Sequence, residues 1–268
     1  MSAMALGAFA YRLTARNDQP HSSNPIHRDD YARSLGYPGG LVPGVTLYAY
    51  AADAAVRALG AGWLARGYGW VRFRRPVFHG EALEVAAEPV AGGAWRITLS
   101  CGGELRVEAL AGPYREGIPV DGLRRDEGAA ASPLALSPDL VGAPLAVPER
   151  LRFGVEDLER YLPAAGLEGT VLAAALRSLG LVPPSLVLNT PFGLLRRNRP
   201  FAVGIHTAGE VETCAPARLG RALETWGTIE DVFERKGRWY VTQRVVTAEE
   251  DGTVVARMRY TGTFEPAG

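Results

Sequence analysis

Two stretches of the chain repeat one another at a fixed distance, and nothing else in the sequence constrains the fold as much. Residues 76–84 read PVFHGEALE and residues 216–224 read PARLGRALE. Both fit P-x-x-x-G-x-A-L-E, at an offset of 140. A second pair, WRIT from Trp95 and WYVT from Trp239, follows in the same order at an offset of 144. Two matches in register point to one unit of roughly 120 residues that was duplicated. Residues 113–148, between the repeats, are rich in Pro, Gly, Ala and Ser and carry no sustained hydrophobic period, so they read as a surface connector. The expected organisation is an N-terminal unit over 1–112, a linker over 113–148 and a C-terminal unit over 149–268.

Within the first unit a short helix is expected over about 29–35. Residues 45–67, VTLYAYAADAAVRALGAGWLARG, form a long apolar segment without proline, rich in Ala and Leu, with Gly60 and Gly62 near its end. A helix that is apolar nearly all round belongs inside a fold rather than on its surface. Strands are expected over 69–78, 81–90, 94–101 and 104–111, with Val71, Phe73 and Val77 facing one way and the arginines the other. The second unit should hold helices near 155–162, 169–180 and 190–197, then strands near 203–213, 219–233, 238–248 and 253–264. The EEDGT segment at 249–253 suits a hairpin turn. Long strands that follow one buried helix predict an α+β fold, an antiparallel sheet wrapped round a central helix. Two such units can join edge to edge into one sheet.

Bulk properties exclude several functions. The 268 residues carry 29 basic and 29 acidic side chains, so a nucleic-acid surface or polybasic membrane anchor is not indicated. Lys236 is the only lysine. Cys101 and Cys214 are too few for a disulfide framework and stand in no metal-ligand spacing. The N-terminal MSAMALGAFAYRL lacks a basic n-region and a cleavage site, and no apolar run reaches membrane-span length. The expectation is a soluble protein of a reducing cytoplasm, without metal.

The chemistry-bearing stretch is HSSNPIHRDD, residues 21–30. Together with NPIH at 24–27, the residues Asp29 and Ala32, GLVPG at 40–44 and FRRPVFHGEAL at 73–83 resemble the MaoC-like, (R)-specific enoyl-CoA hydratase-2-like branch of the hotdog fold. Counting both halves, the resemblance spans nearly the whole chain and implies a double hotdog whose N-terminal unit carries the active-site loop. It implies hydration of a 2-enoyl thioester, or the reverse dehydration, with an aspartate and a histidine bracketing the water. A backbone N–H at the start of the central helix would stabilise the thioester oxygen. No metal or redox cofactor is implied. Coenzyme A or phosphopantetheine would be part of the substrate. Nothing implies a nucleic-acid or membrane partner, and a monomer, itself a pseudo-dimer, or a homodimer would each suit the fold.

Carried over by position, His27 matches the catalytic histidine, Asn24 the orienting asparagine, and Gly44 the oxyanion glycine. Gly40, Val45 and Tyr48 are the accompanying substrate-binding candidates. The aspartate expected two positions before Asn24 is Ser22, and the glycine before it is His21. A serine hydroxyl does not exchange protons near neutral pH as a carboxylate can. Three readings therefore stay open. A His21/His27 pair could divide the acid and base roles, with Asp18 close by in sequence. The site could hydrolyse thioesters instead. Or the site is degenerate, and the protein binds an acyl thioester or acts as a scaffold without turnover. Asp29 and Asp30 suit the start of a helix better than catalysis.

The second unit contains no N-P-x-H motif, so one site per chain is expected, with that unit as scaffold and part of the acyl pocket. His79 reads as a turn residue. His206, on a strand, reads as a core or edge histidine that could nonetheless face the tunnel. Two arginine clusters, Arg72, Arg74 and Arg75, and Arg196, Arg197 and Arg199, suit phosphates as well as a solvated strand face and a helix C-terminus. Tyr48 and Tyr50 are ordinary core residues for a central helix, with hydroxyls that could line a tunnel.

Overall fold

A computed structural model gives the fold of residues 7–125 and 135–266. Residues 1–6 of the N-terminal stretch and 126–134 of the connector lie outside the described residues. Ten strands form one sheet: β1 (Phe9–Thr14), β2 (Gly67–Phe73), β3 (Ala82–Val90), β4 (Ala94–Cys101), β5 (Glu104–Pro113), β6 (Pro144–Arg152), β7 (Phe201–Thr213), β8 (Ala222–Arg235), β9 (Arg238–Glu249) and β10 (Val254–Pro266). The order across it is β1-β3-β4-β5-β2-β7-β10-β9-β8-β6, and neighbours run antiparallel. The first five strands in that order come from the first unit and the last five from the second. The units meet where β2 pairs with β7.

The duplication is visible in the pairing. Trp70 of β2 sits opposite Glu210 of β7, its equivalent 140 residues on. Val42 N–H bonds the Val77 carbonyl at 2.8 Å, and Val182 N–H bonds the Ala217 carbonyl at 2.9 Å. Leu41 bridges Phe78, and Leu181 bridges Arg218. This is the double hotdog: each half-sheet wraps one central helix.

Those helices are α2 (Gly44–Leu59) and α5 (Pro184–Asn198), and α1 (Asp29–Ser34), α3 (Val155–Ala164) and α4 (Val171–Leu179) complete the set. Every residue of α2 from Val45 to Val56 is buried, as its all-round apolarity predicts. Its alanines let strands and α4 approach closely, and each buried Val or Leu contributes about 1.5–3 kcal/mol. The helix ends earlier than the sequence suggests. Gly60 takes φ 79°, and residues 61–64 form a separate 3-10 turn before β2.

The second central helix begins at Pro184 rather than near 190. Proline is tolerated in a first turn, where its missing N–H has no acceptor in any case. Pro191, inside the helix, leaves the Val187 carbonyl without its usual donor, and the Thr190 hydroxyl bonds it at 2.9 Å. The edge strands β1 and β6 were not expected. Strand β1 has only six residues, and β6 contains Pro144 and Pro148, with a register shift between Leu145 and Glu149. Strand β6 thus begins inside the stretch that reads as connector, and the connector's start is pinned by buried Glu212, which accepts from Gly117 N–H at 2.6 Å. No helix among the described residues is long and apolar enough to cross a membrane.

A single acidic residue ties the two units together beneath the sheet. Asp53, 1 % exposed in the middle of α2, accepts from the Tyr11 hydroxyl, Arg57 Nε and Leu172 N–H, each at 2.8 Å. Leu172 lies in the first turn of α4, where a carboxylate also meets the favourable end of the helix dipole.

Candidate active site

The loop between β1 and α2 is built to hold one imidazole. Asn24 precedes a 3-10 turn over Pro25–His27, and Pro25 fixes φ at its first position. Ile26 points down into a small apolar cluster with Ala32, Leu41 and Val203. With the loop anchored there, Asn24 and His27 line a cavity of about 270 Å³ whose wall also includes Ile26 and Leu41. The His27 backbone is held from two sides. Asn17 Nδ2 donates to its carbonyl at 2.7 Å, and Gly40 packs against the same carbonyl. A Cβ on Gly40 would stand 2.1 Å from that oxygen. Gly40→Ala should therefore displace the loop, lowering stability by about 1–3 kcal/mol and activity with it. Thermal melting alongside turnover checks this; unchanged values for both would contradict it.

The hydrogen bonds define the proton positions on His27. Its Nδ1 lies 2.8 Å from the Leu41 carbonyl, which can only accept, so Nδ1 carries the hydrogen and Nε2 the lone pair. Asn24 Nδ2 sits 3.3 Å from Nε2 and 2.7 Å from the Gly204 carbonyl on β7, one amide hydrogen for each. Asn24 is 3 % exposed, and the second unit's backbone orients it. Burial pushes the His27 pKa below its ordinary 6.5, against a smaller opposing pull from the Leu41 carbonyl. A neutral imidazole results, its Nε2 lone pair steered by the Asn24 amide.

The start of α2 faces the same cavity through Gly44 and Val45. Thr46 and Leu47 bond the Pro43 carbonyl, whereas the Gly44 and Val45 N–H groups have no acceptor within the helix. The second unit lacks one of these two donors. Its helix has Pro184 at the position equivalent to Gly44, and proline has no N–H.

The other expected residues are divided. Ser22 lines the cavity, and its hydroxyl accepts from Asn24 N–H at 3.1 Å. His21 is exposed and does not line the cavity, because the turn after Asp18 carries it outward. Asp18 faces inward, accepting from the Thr46 hydroxyl at 2.7 Å, and burial raises its pKa. Gly40 and Tyr48 also lie outside the lining: Gly40 shapes the loop, and Tyr48 is packed within the core. Asp29 accepts from Gly40 N–H at 2.9 Å and pairs with Arg33, a structural role. Arg74 and Arg75 line the cavity, paired with Glu108 at 2.5 Å and Glu104 at 2.9 Å. In the other cluster Arg196 donates to Ser23 Oγ and Arg197 pairs with Glu149, away from the cavity.

The second unit also supplies part of the cavity wall. Asn189 and Phe192 from α5, His206 from β7 and Tyr260 from β10 line the cavity. One signal for α5 was present in the sequence: LVPP at 181–184 stands 140 residues after LVPG at 41–44. Among the described residues no group of three or more His, Cys, Asp or Glu is placed to hold a metal ion.

No protein-family model and no curated protein matches the chain by sequence. Solved structures match by fold over nearly its full length. A protein described as a MaoC domain dehydratase, from Chloroflexus aurantiacus J-10-fl, superposes with TM-score 0.66 at 13% identity, covering 99% of this chain and 96% of its own. A conserved hypothetical protein of Mycobacterium tuberculosis, described as having a double hotdog fold, gives 0.67 at 16% identity, covering 97% and 96%. A protein described as a thioesterase, from Novosphingobium aromaticivorans DSM 12444, gives 0.53 at 16% identity over 97% and 96%. The chain thus has the double-hotdog architecture found in MaoC-like dehydratases and hotdog thioesterases.

Proposed function

We propose that the protein is an acyl-thioester hydratase or dehydratase, acting across the 2,3 bond of a 2-enoyl thioester carried on coenzyme A or phosphopantetheine. The observation that carries this reading is the meeting, in one cavity, of a neutral His27, whose Nε2 carries the lone pair, and the N–H groups that open α2 without a helical acceptor. In hydration, Nε2 takes a proton from water as its oxygen bonds C3. The double-bond electrons move onto the thioester oxygen, where the α2 N–H groups and helix dipole stabilise the charge. The protonated His27 then returns its proton to C2. One group shuttles the proton, so no second acid is required where Ser22 stands. The chemistry calls for no metal or redox cofactor.

Hydrolysis of the thioester is the second reading, favoured by the same Ser22, since a single base beside an oxyanion site also suits attack of water on the carbonyl. Incubation with crotonyl-CoA and a longer 2-enoyl-CoA separates the readings. Loss of the conjugated enoyl absorbance without free thiol is expected. Thiol release would instead establish a thioesterase, and neither signal would leave a binding protein.

The pH profile follows from the lowered pKa. Protonated Nε2 cannot accept, and the folded pKa lies below 6.5. Turnover should be level around neutrality and fall as the pH drops through a pKa below 6.5. A limb centred above 6.5 in kcat/KM would contradict a desolvated His27 base.

A further inference from the structure

We propose that His206 is the second substrate-contacting group of the site: its Nδ1 accepts a hydrogen bond from the C3 hydroxyl of a 3-hydroxyacyl thioester, and from the water that attacks C3 in the reverse direction. This deepens the hydratase reading and rests on it for the identity of the ligand.

The tautomer is set by geometry. His206 Nε2 lies 2.9 Å from the Ala208 carbonyl, so Nε2 carries the hydrogen and Nδ1 is a bare acceptor. That Nδ1 is buried and has no partner, on a side chain only 8 % exposed. His206 is one of the residues lining the cavity, and buried polar atoms almost always have partners, so an orphan acceptor on this ring calls for a donor. Burial pushes the imidazole pKa down to about 3, which keeps the ring neutral at physiological pH.

The surroundings show a recess shaped for this ring. It stacks on Tyr260 with centroids 3.9 Å apart and planes 17° from parallel, and Phe73 lies 4.9 Å away. Two positions give way to it. A Cβ on Gly209 would come within 3.1 Å of Nε2, and one on Gly44 within 3.3 Å of the His206 Cβ. The strand is also irregular here. Thr261 pairs with Ala208 but Gly262 pairs with His206, leaving Thr207 as an extra residue whose hydroxyl bonds the Thr261 carbonyl. Bulges of this kind re-aim a side chain beside a site. His206 thus abuts the oxyanion end of α2 and lies two residues from Gly204, which orients Asn24.

The roles divide without a second proton carrier. In dehydration His27 Nε2 removes the C2 proton, and the electron pair forms the enolate. The C3–O bond then breaks, and the departing oxygen takes the proton from His27 to leave as water. The hydroxyl's own hydrogen stays on oxygen, pointed at His206 Nδ1 throughout.

Two substitutions distinguish this contact from a structural one. His206→Asn keeps a polar acceptor near Nδ1 and loses the bond to Ala208. His206→Gln reaches Ala208 and leaves the Nδ1 position empty. Affinities for 3-hydroxybutanoyl-CoA and butanoyl-CoA are measured calorimetrically in a His27→Ala background, where turnover is removed. The parent should favour the hydroxylated thioester by about tenfold. His206→Asn should retain most of that preference, and His206→Gln should reduce it to within about twofold while its melting temperature stays near the parent's. No preference in the parent, or an undiminished one in His206→Gln, overturns the proposal. Crotonyl-CoA turnover by the unmodified protein with a preference independent of His206 defeats this inference alone. A His206-dependent preference without turnover defeats the hydratase reading alone.

Discussion

His27→Ala is expected to lower turnover of a 2-enoyl thioester by about 10²–10⁴-fold, with little change in substrate affinity. The imidazole presents the Nε2 lone pair, steered by the Asn24 amide, to the cavity that the α2 N–H groups also face. The fold should survive the change. His27 makes one strong side-chain hydrogen bond, to the Leu41 carbonyl, and losing it costs about 1 kcal/mol. His27→Asn sharpens the test. An amide can preserve the bond to Leu41 but cannot carry a proton between water and C2, so it should be as inactive as alanine while melting like the parent. Substantial activity in His27→Asn would show that the imidazole is a structural hinge and that another group moves the proton.

The largest loss of stability is expected for Asp53→Ala. The carboxylate receives three donors at 2.8 Å from β1, α2 and α4, so its removal strands donors in both units at once. Arg57 is 33 % exposed along its side chain and can rehydrate, so the penalty comes mainly from the Tyr11 hydroxyl and the buried Leu172 N–H. At about 1–3 kcal/mol per orphaned group, a loss of about 3 kcal/mol follows. For a chain of this size that lowers the melting temperature by about 6–10 °C. Asp53→Asn keeps an acceptor for Leu172 and should lose less. An Asp53→Ala protein that melts with the parent would mean water fills the space and satisfies both donors.

The legible parts of the fold were those with local causes. The alternation of Val71 and Phe73 with arginines marked β2, although the strand ends at Phe73 rather than running to 78, and the Ala-rich run after Gly44 marked the buried helix. Elements whose existence depends on neighbours were harder to read. Strand β6 carries two prolines and is a strand because β8 offers it an edge. Helix α5 holds Pro184, tolerated by position, and Pro191, tolerated because Thr190 supplies the missing donor. At the site, Asn24 and His27 were legible because one short turn holds both. His21 was misleading because adjacency in sequence says nothing about which side of a turn meets the cavity. Asp53 gave no local sign, since an acid in an apolar helix acquires its meaning only from Tyr11 and Leu172.

By itself the sequence determined that two like units stand in tandem, each with a buried helix and long strands, and that one of them carries an Asn-Pro-x-His loop. These follow from repetition, periodicity and spacing, which act along the chain. Only the tertiary structure decided that β2 and β7 join the units, that the start of α2 faces the cavity, and that His206 stands beside Gly44. Those depend on strand register and burial, which bring residues more than a hundred positions apart into contact and leave no trace in local pattern.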